Sequence, residues 1–227
     1  MAKAGQWLRS VAAVFDKDWR SELRTRYAIS ALLMFVVTTI AILMFSLGSE
    51  EAPQEVLSGM LWVVIFFAAM SGLSRTFVAE EERGTTMTLQ LLTSPGAVFF
   101  GKLLFNLVLV SGLSVFTVLL YALFINGFVI KNVLLFALTI ALGSVGFSAA
   151  ATIIAAIIAK AATRGTLYPV LSFPVLLPLL LAVINATRLA AEGAVLADAA
   201  GEFQLLISYI VVVITASALV FEYVWKE

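Results

Sequence analysis

The 227 residues are 62% hydrophobic and only 12% charged, with a mean hydropathy of +1.08 and fourteen Lys+Arg balanced by fourteen Asp+Glu. A soluble fold of this size cannot bury that much apolar surface, and a neutral chain lacks the clustered positive charge of a general nucleic-acid binder. With no histidine and no cysteine, disulfides, Cys/His zinc sites, cysteine nucleophiles and Ser-His or Cys-His pairs are excluded; the class is an integral membrane protein, and six apolar runs of helix length read it as an all-α polytopic one.

Residues 1–27 carry a large apolar residue at every fourth position, Trp7, Val11, Phe15, Trp19 and Leu23, with Lys17, Arg20, Arg24 and Arg26 mainly off that row. The pattern predicts an amphipathic helix on the inner membrane surface, its cations toward anionic lipid headgroups. Docking onto a partner protein is the alternative.

Crossing a hydrocarbon core about 30 Å thick takes about 20 apolar helical residues. The first stretch of that length is 28–47, ended by Gly48-Ser49. It is not a secretory signal: the apolar run is too long and no small-residue cleavage pattern follows it. The second span is 56–74. The loop 75–102 then reads as a continuation of that helix through Glu80–Glu82, a sharp break at Gly84, and a short helix capped by Thr85 or Thr86. Met87, Leu89, Leu91 and Leu92 give the short helix an apolar side, and Ser94-Pro95-Gly96 ends it.

The third span, 103–125, closes on an Asn126-Gly127 turn. The fourth, 133–159, carries Ser144, Ser148 and Thr152 in one row and Ala151, Ala155 and Ala159 in the next. Such rows serve either as a helix-packing face or as the lining of a substrate path. Asn106 and Asn185 are placed to bond across helices. The fifth span, 168–186, contains Pro169, Pro174 and Pro178. The last two remove interior hydrogen bonds and predict a kink or break, hence hinge candidates or static bends. A short interfacial helix or an ordinary loop follows in 187–202, before the sixth span at 203–225.

Twelve of the fourteen Lys and Arg fall on one side of this plan, in 1–27, 75–102, the loop after the fourth span, and the carboxyl end. Only Lys131 and Arg188 fall on the other, so the positive-inside rule places both termini in the cytoplasm. The chain reads as one domain. No Asp, Glu, Lys or Arg lies in the inner stretches of the spans, which argues against a proton- or cation-coupled carrier.

The run Glu80-Glu81-Glu82-Arg83-Gly84-Thr85, the leucines, Pro95 and the Gly101-Lys102 that opens the third span resemble the membrane subunit of ABC-2 type ABC transporters. With the segment Lys17-Asp18-Trp19-Arg20 through Leu33 and the proline-rich fifth span, nearly the whole chain resembles the CcmB (heme exporter protein B) permease family of cytochrome c maturation. The resemblance implies a bacterial inner-membrane subunit that is not itself an enzyme, paired with a CcmA-type ATPase that binds ATP, and with a second copy of itself. It implies further partners in a heme-handling membrane protein and a periplasmic heme chaperone. Glu80, Glu81, Glu82, Arg83, Gly84 and Thr85 would make the coupling contact, shaped by Leu89, Leu92 and Pro95. Release of the heme-loaded chaperone would follow from ATP hydrolysis.

The chain has no Gly-x-x-x-x-Gly-Lys-Ser/Thr phosphate loop of its own. Heme would be pathway cargo, not a cofactor bound by this chain. Two common protein ligands of heme iron, His and Cys, are absent, and Met34, Met44, Met60, Met70 and the tyrosines are ordinary packing or interface residues. A moving part therefore suits the composition better than a heme carrier. An ABC-2 exporter of a lipid, glycan or drug, and a static scaffold of the same assembly, are the competing functions.

Overall fold

In hydrocarbon every backbone N–H and C=O must be satisfied within the protein, so long apolar runs fold as helices. The computed structural model describes residues 2–25, 27–48, 52–159 and 164–226. The side chains of Lys3, Arg26, Glu50, Glu51, Lys160, Arg164, Pro169 and Lys226 lie outside the described residues. The described residues form α1 (Ala2–Thr25), α2 (Tyr27–Leu47), α3 (Gln54–Leu73), α4 (Val78–Arg83), α5 (Thr86–Leu92), α6 (Pro95–Phe124), α7 (Val133–Ala159), α8 (Arg164–Glu192) and α9 (Ala200–Lys226), with no strand among them. Six helices are long and apolar enough to cross a membrane. α3 and α7 are the most buried of these and α2 and α9 the least. α7 packs against α6, α8 and α9, while α3 packs against α2, α6 and α8.

The hydroxyl row of α7 is a packing face. Ser144, Ser148 and Thr152 are buried, and each donates to the carbonyl four residues back, at 2.8, 2.7 and 2.6 Å. That local bond leaves the outer side of each residue small, which permits close helix approach. Asn106 and Asn185 bond across elements as expected. Asn106 Nδ2 donates to Thr152 Oγ1 at 2.8 Å, and Asn185 Nδ2 donates to Glu202 on α9. Buried Trp62 on α3 donates from its indole N–H to Thr187 Oγ1 on α8, 2.8 Å away, and stacks on Phe147 of α7.

Three sequence expectations need correction. The second helix does not continue to Glu82: α3 ends at Leu73, a turn occupies Ser74–Phe77, and α4 starts afresh. The Thr76 hydroxyl lies 2.8 Å from Leu73 O and its carbonyl accepts from Lys102, so side chains compete for groups the helix would otherwise use. Of the kink or break expected at Pro174 and Pro178, the break does not occur: α8 runs on from Arg164 to Glu192, and both prolines are exposed. No short helix stands alone in 187–202. α8 extends to Glu192 because Ala190 and Ala191 are buried and Arg188 pairs with Glu192, and Gly193, at φ +88°, ends it.

α1 forms the expected amphipathic helix, but its apolar ladder does not lie on one line. Steps of four residues precess by about 40° each on a 3.6-residue helix, so a five-member ladder cannot all face one way. Val11, Val14 and Asp18 are the buried positions, while Trp7 and Leu23 are exposed. The buried side seats on α6, where a Cβ on Gly101 would lie 2.7 Å from Val14 Cβ and 2.9 Å from the Val11 carbonyl. Only glycine allows that approach. α1 is thus docked on the protein itself along one side.

Candidate coupling segment

Residues 74–94 form two short helices at the end of the bundle where α1 and the last turn of α9 also lie. Gly84 caps α4 in the left-handed region, at φ +67° and ψ +20°, as the sequence requires of a sharp break. The Thr85 N–H donates to Glu80 O at 3.0 Å. Neither Thr85 nor Thr86 supplies the side-chain cap expected of it: the Thr85 hydroxyl turns instead to the Glu80 carboxylate, and the Thr86 hydroxyl is buried without a partner. Ser94 and Pro95 open α6, with proline in the first turn, where its missing N–H costs nothing. α6 starts eight residues before the apolar run at 103, which carries Lys102 into its helical interior.

Lys102 is the centre of the segment. Its side chain is 1% exposed, and Nζ lies 3.1 Å from Glu80 Oε1, 3.1 Å from Asp18 Oδ2 and 2.8 Å from the Thr76 carbonyl, with the Phe77 ring centroid at 5.1 Å. Lys17 completes the group, paired with Glu80 and, at 3.1 Å, with Asp18. Two cations and two anions from α1, α4 and α6 thus neutralise one another. Burial favours protonation of Glu80, but Lys102, with bonds from Lys17 and Thr85, outweighs it and holds the carboxyl at about 2. For Lys17, burial opposes the charge, yet Asp18 and Glu80 prevail and raise its pKa.

A depressed carboxyl contributes stability that is complete above its ordinary value and is lost as pH falls toward the folded one. Melting of the purified protein in detergent should therefore show a loss of stability between about pH 4.5 and about pH 2. That component should be missing in Glu80→Gln. An identical acid profile in that variant would refute the assignment.

A second clasp is aromatic. Phe77 packs on Phe221 and Trp225 of α9, with ring centroids 5.6 and 6.0 Å away, and Phe99 of α6 lies 5.2 Å from Phe221. Gln90 of α5 donates to the Trp225 carbonyl at 2.5 Å. Thr76 Oγ1 is 3.0 Å from Asn106 Oδ1, which extends the contacts to Thr152 of α7.

The residues singled out from the sequence therefore divide by place. Glu80 faces inward and cannot be an exposed handle. Glu81 is partly buried, Glu82 is exposed 3.6 Å from Arg75, and exposed Arg83 donates to Ser21 Oγ of α1 at 2.9 Å. Leu89 is partly buried against the core, as Pro95 is at its own position, while Leu92 is 77% exposed. Met87 and Leu91, 71% and 82% exposed, present the free apolar side of α5. Lys17, Asp18, Phe221 and Trp225 were not foreseen as parts of this segment, and Lys102, expected at the end of the loop 75–102, was not foreseen as its buried centre. The sequence signal for Lys102 was its position at the head of a 20-residue apolar run, and for Asp18 its place inside an otherwise apolar row. Of the methionines, Met34 and Met44 are exposed and Met70 is buried in the core.

Six apolar spans among the described residues, with a helical crossover held to α1 and α9, define a polytopic α-helical membrane protein. A sequence model of the CcmB protein family matches residues 9–223, and the chain belongs to that family. The family is the membrane component of the heme exporter of cytochrome c maturation and acts with a CcmA ATPase. No curated protein sequence matches the chain.

Proposed function

We propose that this chain couples ATP hydrolysis on a separate CcmA-type subunit to heme delivery and release of a heme-loaded periplasmic chaperone. The carrying observation is the exposed Met87–Leu91 side of α5, on a segment anchored to α1, α6 and α9. Closure of the ATPase pushes on α4–α5. The ion pairs around buried Lys102, the Thr76–Asn106–Thr152 chain and the Phe77–Phe221–Trp225 stack pass that displacement into the spans, because the links are hydrogen-bonded or close-packed. The work is done only if the membrane conformations differ in affinity for the nucleotide-bound partner. The Lys/Arg asymmetry supports termini, and hence α4–α5, on the cytoplasmic side of a bacterial inner membrane. Two copies of the chain complete the transporter, which meets the heme-handling membrane protein and the chaperone on its far side. Without His or Cys, the chain acts on heme by reshaping that far surface.

The test is reconstitution of the chain with the ATPase, the heme-handling protein and the heme-loaded chaperone in proteoliposomes. ATP should release chaperone, and Gly84→Trp, which places a bulky side chain at φ +67°, should leave hydrolysis running while release is lost. Release that is indifferent to ATP in the intact complex would mark the chain as a scaffold. ATP-driven transfer of a lipid, glycan or drug without effect on the chaperone would mark it as a different exporter.

A further inference from the structure

The side of α4–α5 that faces α1 meets a cluster of charge that the Met87 and Leu91 side lacks, although Leu89 and Leu92 of α5 line it too. Between α1 and α5 lies a groove of about 530 Å³ whose charged lining is Lys17, Arg20, Arg24 and Arg83 against the single carboxylate of Glu80. Glu80 is already matched by Lys17 and Lys102. Arg20 shares its charge with Asp16 at 2.8 Å, Arg83 donates to Ser21, and Arg24 forms no ion pair with a described residue. The groove therefore has an excess of positive charge, in part guanidinium, the group best suited to a phosphodiester.

The groove does not stand alone. Ser21, Glu80 and Arg83 also border a second cavity, of about 230 Å³, between α1, α2, α3, α4 and α6, whose charged lining is Asp18, Glu22 and Glu80 with Arg75 and Arg83. That cavity in turn shares Leu32, Phe105, Leu109 and, at the rim, Glu22 with a cleft of about 230 Å³ lined by Trp19, Ile29, Leu33 and Val108, whose wall is otherwise apolar. Leu32, Leu33, Val108 and Leu109 belong to spans. One track thus leads from an apolar cleft at membrane depth to a cationic groove at the basic end of the bundle. A protein carboxylate would use only the groove. An amphiphile with an acyl chain and an anionic head uses all of it.

We propose that this track binds an anionic phospholipid, with its headgroup between Arg24 and Arg83 and an acyl chain directed to the Leu32–Val108 cleft, so that the lipid bridges α1 to the α4–α5 segment. The headgroup then holds together the two elements whose relative position sets the coupling surface.

The experiment uses the full chain, delipidated in detergent and placed in nanodiscs of phosphatidylcholine with or without phosphatidylglycerol. Retained lipid is read by native mass spectrometry. Wild type should retain phosphatidylglycerol in preference to phosphatidylcholine, and the double variant Arg24→Gln/Arg83→Gln should lose that retention by about tenfold or more. Arg24→Lys/Arg83→Lys, which keeps the charge, should recover much of it. Arg9→Gln, on α1 but away from the groove, should leave it unchanged. Equal loss in Arg9→Gln would reduce the effect to diffuse surface charge and overturn the proposal, as would undiminished retention in the Gln double variant. Inorganic phosphate that displaced phosphatidylglycerol in wild type would assign the groove to a free anion. An acidic peptide that displaced it would assign the groove to a protein.

Discussion

Lys102→Met should destabilise the protein by about 3–5 kcal/mol, a drop in melting temperature large enough to read directly in detergent. Lys102 is almost wholly buried, and its removal leaves Glu80 and Asp18 facing Lys17 alone, with the Thr76 carbonyl unbonded. The cost comes from carboxylate charge stranded away from water, because the intact cluster spends most of its Coulomb energy on desolvation. Removing the stranded groups as well should therefore rescue. Lys102→Met combined with Glu80→Leu and Asp18→Leu should be several-fold less destabilised than the sum of its parts. A Lys102→Met protein that melts with wild type would show that the cluster is not the clasp described above.

Met87→Asp with Leu91→Asp should do the opposite: leave melting within about 0.5 kcal/mol of wild type and abolish capture of the ATPase. Both side chains are more than two-thirds exposed, so the folded chain loses little packing when they change. In a docked complex they would be buried one helical turn apart on α5, and two carboxylates forced into that contact should weaken binding by at least about a hundredfold. Co-purification of the two subunits reads this directly. If the ATPase still bound tightly, the apolar side of α5 would not be the contact.

How much of this was legible beforehand follows from the kind of signal each feature leaves. The spans were readable because bilayer thickness converts directly into a length of apolar sequence, and the predicted 133–159 coincides with α7. Gly84 was readable too, since a left-handed cap asks for glycine. The charge cluster was not. Lys102 and Asp18 are 84 positions apart, and a lysine at the start of a span looks like one that reaches for water. Nor does anything local in Phe221 or Trp225 announce Phe77 as a partner. The three acidic residues 80–82 looked equivalent in the sequence, yet a helix turns about 100° per residue, so only one of three neighbours could face Lys102. That one is Glu80, which makes charge reversal of all three a test of folding before it is a test of coupling.

In the coupling proposed above, α4–α5 transmits force because it is clamped to the spans. The most direct measurement is the number of chaperone molecules released per ATP hydrolysed by reconstituted complexes of wild type and Lys102→Met, at a temperature where both are folded. With the clamp weakened, hydrolysis should persist while release per ATP falls about tenfold or more, since Lys102 of α6 is paired with both Glu80 of α4 and Asp18 of α1. An unchanged ratio in a folded Lys102→Met complex would contradict it.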